Sequence, residues 1–490
     1  MAKKILSIFL LSCFLLSSSA SDNGQIPQPI RALLNKSCMQ GCSFSLSVKE
    51  VGTGAVLYAY EADRQLTPAS VMKTITTATA LELLGPDYRF PTTLAYDGNL
   101  IDGTLEGNLY IQGSGDPTLG SAHFAPDKNT YTPDQNTFLP AWIAALQKAG
   151  IQEIRGAVIA DESIFDTEGV SMKWVREDVG SYYGAGSYGL CVFDNLYRLY
   201  LRTAGAGSRP QIQRTEPELP ELYFYNYLKA KQVSVDSSYI VGAPFASDRY
   251  LYGIVPVNRT GYILKGDIPD PALFLARYVS RRLEQKGIRV EGKPACYRLL
   301  KEEGKWQPQE RKQIYVTYSP SLQEIVKVTN HVSHNLFADA LIKTIGLSSG
   351  RPSSFGQGIR TVHAYWEEKG LDTSSLWMYD GSGLAVTDKV SARFMTDILA
   401  YMATRSEVSE AFIRSLPQAG LEGSVRNFLK GSRLQGKVRL KSGSMSRVKG
   451  YAGYIDHNGK RYAIALFVNN YSCEGRAMNR ALEELLLKLF

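Results

Sequence analysis

The stretch Thr67-Pro68-Ala69-Ser70-Val71-Met72-Lys73 decides how the rest of this sequence is interpreted. Proline fits the first turn of a helix, Thr67 is a suitable N-cap, and Gly85-Pro86 is a stop signal, so the sequence predicts a helix between them. Ser70 and Lys73 are three residues apart and therefore lie on one face of this helix. A buried lysine has a lowered pKa and can take the proton of a neighbouring serine hydroxyl. The stretch thus predicts serine chemistry if the remaining chain supplies its partners.

Strands are predicted near both ends of the chain, and a long region of short β-like runs and turns lies between them. Strands at both ends of a chain indicate one sheet that is interrupted by inserted material. We therefore predict a catalytic domain over 27–92 and 312–490 and a mainly β insertion over 93–311 that contains two nested subdomains. The predicted terminal strands cover 43–48, 55–60, 437–444, 450–456 and 460–469, and an amphipathic helix covers 474–489.

The N-terminus carries an export signal. Lys3 and Lys4 precede an apolar run that ends at Leu16, and small residues follow up to Ala20, so residues 1–20 are predicted to be a cleaved secretory signal peptide. We expect a periplasmic protein whose mature chain has no integral membrane segment. Leu10-Leu11-Ser12-Cys13 faintly resembles a bacterial lipoprotein box, which leaves lipid anchoring at Cys13 as the alternative.

The net charge and the cysteine and histidine content limit which ligands and partners are expected. The net charge of +8 includes Lys3 and Lys4, and the +6 that remains after their removal is too diffuse to indicate nucleic acid. Five cysteines remain after the signal peptide, an odd number whose pairing the sequence leaves open. The five histidines are scattered and show no zinc-binding spacing. We therefore expect neither a metal nor an organic cofactor.

Three short motifs can be weighed together. Ser70-x-x-Lys73, Ser333-His334-Asn335 and Lys441-Ser442-Gly443 occur in an order that resembles the penicillin-binding serine acyltransferases and their β-lactamase relatives. The third motif has Ser442 where threonine is commoner, which keeps a hydroxyl at that position. Taken singly, the second motif fits a helix cap or turn and the third fits a solvated strand end.

Further motifs narrow the resemblance. Gly115-Asp116-Pro117-Thr118-Leu119, Asp380-Gly381-Ser382-Gly383-Leu384 and the long insertion resemble the D-Ala-D-Ala carboxypeptidase/endopeptidase family, peptidase family S13, the class C low-molecular-mass penicillin-binding proteins. This resemblance implies an α/β (α+β) serine transpeptidase/β-lactamase-like domain, with a five-stranded antiparallel sheet flanked by helices. It also implies a periplasmic serine D,D-peptidase that acts on peptidoglycan stem peptides and cross-links and is inhibited by β-lactam antibiotics. By composition, Asp380-Gly381-Ser382-Gly383 is a structural turn.

The resemblance implies a catalytic role for four side chains. Ser70 is the expected nucleophile and Lys73 its general base, Ser333 relays a proton to the leaving amine, and Asn335 holds Lys73 and the substrate amide. We also expect the positive charge of Lys441 to keep Lys73 neutral by repulsion.

The remaining predicted site residues bind substrate. The expected substrate-binding residues of the third motif are Lys441, Ser442, Gly443 and Ser444. Lys441 and Ser442 are expected to hold the terminal carboxylate. The backbone N–H groups of Ser70 and Ser444 are expected to form the oxyanion hole. The resemblance further places Asp161 and Phe165 against the side chain at the third position of the stem peptide. Alternatively, these two residues belong to a strand-end turn with a buried ring.

Two other functions fit the same residues. A β-lactamase or esterase would use the same acyl-enzyme and turn over β-lactams rapidly. A non-catalytic wall-binding homologue would have kept the fold alone, although the presence of all the motif residues argues against it.

Overall fold

The computed structural model describes residues 26–128, 131–135, 138–347 and 352–490. The predicted signal peptide and the alternative lipid site at Cys13 lie outside these residues. Within them, no helix combines the length and the apolar character that a membrane crossing requires.

The described residues form eleven helices and twenty-two strands. The helices are α1 Gln28–Leu34, α2 Lys73–Leu84, α3 Phe138–Lys148, α4 Pro271–Gln285, α5 Tyr297–Glu302, α6 Leu322–Val332, α7 Asn335–Ile345, α8 Phe355–Glu368, α9 Ala392–Thr404, α10 Ser409–Ser415 and α11 Gly475–Leu489. The strands are β1 Ser43–Glu50, β2 Val56–Tyr60, β3 Pro91–Tyr96, β4 Asn99–Ile101, β5 Thr104–Glu106, β6 Leu109–Gln112, β7 Glu153–Ile154, β8 Val158–Asp161, β9 Leu196–Arg202, β10 Gln211–Glu216, β11 Tyr223–Asn226, β12 Lys229–Lys231, β13 Tyr239–Val241, β14 Asp248–Tyr252, β15 Ile254–Pro256, β16 Tyr262–Asp267, β17 Arg289–Val290, β18 Ala295–Cys296, β19 Lys312–Tyr318, β20 Val438–Met445, β21 Val448–His457 and β22 Lys460–Asn469.

The two ends of the chain build one antiparallel sheet with the strand order β2-β1-β22-β21-β20. This confirms the predicted five-stranded antiparallel sheet. Strand β1 sits between β2 and β22, so strands from opposite ends of the sequence are hydrogen-bonded neighbours. Strand β20 is an edge strand, and its open side faces the turn that carries Ser70.

Alternating residues of the sheet meet two different helix layers. Phe44, Leu46 and Val48 of β1 point into a core with α1 and α11. Ser47, on the opposite face of β1, hydrogen-bonds Thr396 of α9. Since successive side chains of a strand point to opposite faces, this alternation requires helices on both sides of the sheet. The confirmed fold class is therefore an α/β domain with helices flanking the sheet.

Helix α2 lies in the interior of the second helix layer, which also contains α6, α7 and α9. Ile75 and Leu81 of α2, and Val71 and Met72 just before it, are completely buried against α6, α7 and α9. Full burial of such side chains contributes about 1.5–3 kcal/mol each. Helix α2 is consequently a rigid support for the residues that lie at its start.

The central part of the chain forms further sheets around its own core. One has the order β18-β8-β6-β3-β19, so β3 and β19, which enter and leave this region, pair with each other. Residues 312–318, which we predicted to lie in the catalytic domain, thus form a strand of this sheet. The division at 92/93 and 311/312 and the two nested subdomains stay predictions.

Candidate active site

Ser70 lies in a short 3-10 turn, Ala69–Met72, that leads directly into α2. The prediction that Thr67 caps this helix was wrong. The Thr67 hydroxyl donates to the Val386 carbonyl oxygen over 3.2 Å and makes no cap hydrogen bond to the turn. Ala69 has a φ of 48°, a left-handed conformation that is uncommon for alanine and turns the chain sharply before Ser70.

Lys73 is fully buried, and its ammonium group contacts three oxygen atoms. Nζ lies 3.0 Å from Ser70 Oγ, 2.6 Å from Asn335 Oδ1 and 2.6 Å from the Ser382 carbonyl oxygen. Two of these oxygens can only accept a hydrogen bond, whereas the Ser70 hydroxyl can also donate. When Lys73 loses a proton, its remaining N–H groups stay with the two carbonyl oxygens, and the free electron pair faces Ser70. The hydrogen-bond pattern is therefore that of an amine facing a hydroxyl group.

Burial is the main cause that lowers the pKa of Lys73 to about 8. The buried carboxyl groups of Asp339, Asp380 and Asp388 oppose this shift by attracting the ammonium charge. Desolvation thus outweighs three acidic neighbours. A base with a pKa near 8 has a useful neutral fraction at physiological pH.

The turn Asp380-Gly381-Ser382-Gly383 packs directly against the Ser70 turn. The Asp380 carboxylate accepts hydrogen bonds from the Trp174 indole and from backbone N–H groups within the turn, such as that of Ser382. Gly383 has a φ of +74°, and a Cβ there would lie 2.0 Å from the Ala69 carbonyl oxygen. We interpreted this segment as a structural turn, but it also supplies the Ser382 carbonyl that holds Lys73.

Ser333 and Asn335 belong to the junction of α6 and α7. Ser333 ends α6 in a left-handed conformation, with φ 61° and ψ 46°, and Asn335 is the first residue of α7. Asn335 Nδ2 donates to the Tyr183 carbonyl oxygen over 2.8 Å, which leaves Oδ1 to accept from Lys73. Tyr183 comes from the central region, so this region also contributes to the site.

Lys441 of β20 donates from Nζ to Ser333 Oγ over 2.9 Å and is fully buried. Burial lowers the pKa of Lys441 well below its ordinary value, and repulsion from Lys73 lowers it further. Acidic neighbours raise the pKa of Lys73, whereas burial and the charge of Lys73 both lower the pKa of Lys441. Our expectation that a charged Lys441 keeps Lys73 neutral stays a prediction. Burial is the largest cause of the lowered pKa of Lys73, and a carboxylate bound beside Lys441 would favour the charged form of Lys441.

Gly443 allows β20 to approach the nucleophile. A Cβ at this position would lie 2.3 Å from the Pro68 carbonyl oxygen and 3.1 Å from the Ser70 backbone nitrogen. The next residue, Ser444, lies on the same edge strand, as the predicted oxyanion hole requires. Ser442 Oγ lies 2.7 Å from Ser424 Oγ. The third motif thus lies on an edge strand that packs closely against the Ser70 turn, and it is not a solvated strand end.

Replacing Gly443 with alanine is predicted to slow acylation of Ser70 by a β-lactam by about 100-fold, because the new methyl group forces β20 away from the serine turn. Acylation is measured as the rate of covalent labelling. Gly52→Ala is the matched control, since a Cβ there meets no atom within 4 Å. Equal rates for Gly443→Ala and wild type would contradict the close approach.

Asp161 and Phe165 have partners outside this cluster. Asp161 ends β8 and forms an ion pair with Arg311, with 2.6 Å between Oδ2 and the guanidinium nitrogen. The Phe165 ring is buried, packs against Gly115 and borders a 340 Å³ cavity. Among the described hydrogen bonds and ion pairs, none joins either residue to Ser70 or Lys73. Their contact with substrate stays a prediction.

The pKa of Lys73 predicts how the reactivity of Ser70 depends on pH. Below pH 8 the neutral fraction of Lys73 falls about tenfold per pH unit, so the rate at which a neutral sulfonyl fluoride modifies Ser70 should fall in parallel and level off above pH 8. A neutral reagent is chosen because a carboxylate would change the charge of Lys441. Lys441→Met should keep this profile, since burial is the largest cause of the lowered pKa of Lys73. A profile displaced to higher pH in Lys441→Met would instead support the expectation that the charge of Lys441 keeps Lys73 neutral.

The sequence of this chain is similar to those of known proteins over most of its length. Residues 27–489 match the model of the D-Ala-D-Ala carboxypeptidase 3 (S13) family. The D-alanyl-D-alanine carboxypeptidase of Actinomadura sp. (strain R39) is 27% identical over 463 residues, which cover 91% of this chain and 81% of that protein. The D-alanyl-D-alanine carboxypeptidase DacB of Haemophilus influenzae is 25% identical over 482 residues, which cover 96% of this chain and 94% of that protein.

A solved structure has the same fold. The crystal structure of penicillin binding protein 4 (dacB) from Haemophilus influenzae superimposes with a TM-score of 0.77 and 22% sequence identity, covering 92% of this chain and 96% of that one. A second crystal structure of that protein contains a bound β-lactam and superimposes with a TM-score of 0.72 and 20% identity. Both matches extend across the central region as well as the five-stranded sheet.

Proposed function

Because the chain belongs to the D-Ala-D-Ala carboxypeptidase 3 (S13) family, we propose that it is a serine D,D-peptidase that cuts after the penultimate D-Ala of peptidoglycan stem peptides and forms an acyl-enzyme on Ser70. The observation that carries this proposal is the geometry of Lys73, whose two carbonyl partners leave Ser70 as the one partner able to donate. Two similar proteins are named D-alanyl-D-alanine carboxypeptidases, which supports the substrate class.

The proposed reaction begins with proton transfer. Neutral Lys73 takes the Ser70 proton, and Ser70 Oγ attacks the carbonyl carbon of the penultimate D-Ala. The backbone N–H groups of Ser70 and Ser444 stabilise the resulting oxyanion. Ser333, which is hydrogen-bonded to Lys441, gives its hydroxyl proton to the departing amine, and the proton that Lys73 took from Ser70 replaces it. Water then hydrolyses the ester and regenerates Ser70.

Lys441 and Ser442 bind the terminal carboxylate in this proposal. A buried amine without an acidic neighbour attracts an anion strongly once it is protonated, because few water molecules screen the interaction. Carboxypeptidase and endopeptidase action share these steps, since both cleave after the same D-Ala and differ in the leaving group. Cross-links are therefore included among the proposed substrates, and the periplasm is the proposed location, to which the predicted signal peptide would direct the chain.

Incubation with penicillin tests the proposal. Intact-protein mass spectrometry should show one added penicillin per chain, peptide mapping should place it on Ser70, and the adduct should persist for minutes or longer. The unlabelled protein should release D-alanine from an N-acylated peptide that ends in D-Ala-D-Ala. An adduct that disappears within seconds would favour a β-lactamase, and the absence of both adduct and D-alanine would favour a non-catalytic homologue.

A further inference from the structure

Two histidines and one aspartate meet immediately beside the active site. His123 lies in a short 3-10 turn, Asp194 precedes β9, and His334 is the middle residue of Ser333-His334-Asn335. One ligand atom from each of the three lies within 4.8 Å of the other two. The histidine rings are perpendicular, with centroids 5.2 Å apart. Three side chains that are distant in sequence thus converge in one place.

One oxygen of the Asp194 carboxyl group is buried without a partner. Neither this atom, Oδ1, nor the buried His334 Nδ1 has a hydrogen-bond partner within the described chain. The Asp194 side chain is only 6% exposed. Buried polar atoms are rarely left without a partner, so Asp194 Oδ1, which lies 3.7 Å from His334 Nε2, points to a ligand between these two side chains.

A direct ion pair does not explain the arrangement. His334 Nε2 lies 3.7 Å from Asp194 Oδ1, which is longer than a hydrogen bond. The His334 ring instead stacks on Phe337, with centroids 3.9 Å apart. Asp194 is held in place by its backbone, because Phe193, Asp194 and Asn195 have consecutive positive φ values of 54°, 58° and 50°. Together with hydrogen bonds from the Ser121 side chain and the Ala122 backbone, this conformation holds the carboxylate beside the histidines.

We propose that His123, Asp194 and His334 bind one divalent transition metal ion, for which Zn²⁺ is the best match. Imidazole nitrogens and a carboxylate oxygen are ordinary zinc ligands, with bond lengths of about 2.0–2.2 Å. Ligand atoms in a tetrahedral site are consequently about 3.3 Å apart, close to the 3.7 Å between Asp194 and His334. Three protein ligands leave a fourth position for water.

The ion would fasten the central region to the active site. His123 and Asp194 come from the region between β3 and β19, whereas His334 separates the proposed proton relay Ser333 from Asn335. Coordination would fix the His334 backbone and thereby the positions of its two neighbours. The ion touches neither Ser70 nor the substrate in this proposal, so these three residues act as positioning residues.

The sequence alone argued against this site. The histidines appeared scattered because no zinc-binding motif spans them, and their spacing led us to expect no metal. The folded chain brings together residues 211 positions apart, 123 and 334, through the packing of the central region on α7. Metal sites assembled in this way have no local sequence pattern.

Metal binding by the mature chain tests the proposal. The protein is treated with a chelator, its thiols are blocked with iodoacetamide because Cys38, Cys42 and Cys473 lie near one another, and Zn²⁺ is titrated by calorimetry. We expect one Zn²⁺ per chain and a rise in the unfolding midpoint at saturating Zn²⁺. Co²⁺ in place of Zn²⁺ should give visible absorption bands from a histidine-carboxylate site.

Variants assign the ligands. His123→Gln and Asp194→Asn should each weaken Zn²⁺ binding more than about 100-fold and abolish the Co²⁺ bands, whereas His457→Gln should bind as wild type does. Near-UV circular dichroism shows that each variant is folded, and His123→Gln, which changes a partly exposed side chain, keeps the test valid if Asp194→Asn does not fold. Absence of stoichiometric Zn²⁺ in wild type, or unchanged binding in folded His123→Gln, would overturn the proposal.

Discussion

Replacing Ser70 with alanine is expected to abolish covalent labelling by penicillin and to lower D-alanine release by about 10⁴- to 10⁶-fold, as removal of a serine nucleophile does in other hydrolases. The reason is geometric. Among the described hydrogen-bond partners of Lys73 Nζ, one can give up a proton, and the variant removes that hydroxyl while Asn335 and Ser382 keep their contacts. Initial rates of D-alanine release and the mass of the protein after incubation with penicillin measure the two effects.

A matched control separates this effect from the loss of any hydroxyl. Ser472 is exposed, and Ser472→Ala should label and hydrolyse as wild type does. Ser70→Ala should also retain the wild-type unfolding midpoint within a few degrees, because the lost hydroxyl makes one hydrogen bond at a partly exposed position. Full labelling of Ser70→Ala would mean that the nucleophile is a different residue.

Replacing Lys73 with methionine is expected to slow penicillin acylation by about 10²- to 10⁴-fold, the range that a general base contributes. Methionine matches the apolar part of the lysine side chain but cannot take a proton. The measured quantity is the second-order rate constant of acylation, determined at pH 7 and at pH 9. Wild type should react faster at pH 9 with a neutral sulfonyl fluoride, whereas Lys73→Met should lose this increase because the group that titrates is gone.

The folding of Lys73→Met must be checked, because the variant leaves the Asn335 and Ser382 oxygens without their buried donor. Each unsatisfied oxygen costs about 1–3 kcal/mol, partly offset by removing a buried charge. Lys305→Met replaces a lysine that is 69% exposed and should behave as wild type in both assays. A decrease of less than tenfold in a folded Lys73→Met variant would show that another group acts as the base.

The proposed metal site and the proposed catalytic cluster share one short turn. Ser333 contacts Lys441, Asn335 contacts Lys73, and His334 between them faces Asp194. Penicillin labelling with and without Zn²⁺ therefore measures whether the ion affects the catalytic cluster. Whether Zn²⁺ binds at all is decided by the metal titration. The two proposals can fail separately, since metal titration requires no activity and Ser70 labelling requires no metal.

The sequence by itself determined the sheet and its supports. The alternation of Phe44, Leu46 and Val48 with small polar residues specifies a strand with two different faces, and the amphipathic pattern of 474–489 specifies a covering helix. These are local periodicities, and the structure confirms them. The order of the three motifs likewise led to the family, because each motif requires particular residue types at fixed spacing.

Only the tertiary structure decided what surrounds the reacting groups. The Ser382 and Tyr183 carbonyl oxygens act through the backbone, which any residue possesses, so no residue type could reveal them. The pKa of Lys73 depends on complete burial and on nearby carboxyl groups from other segments, and the His123–Asp194–His334 cluster depends on packing across the chain. Desolvation and charge are properties of the assembled interior, and for that reason they appear only after the chain has folded.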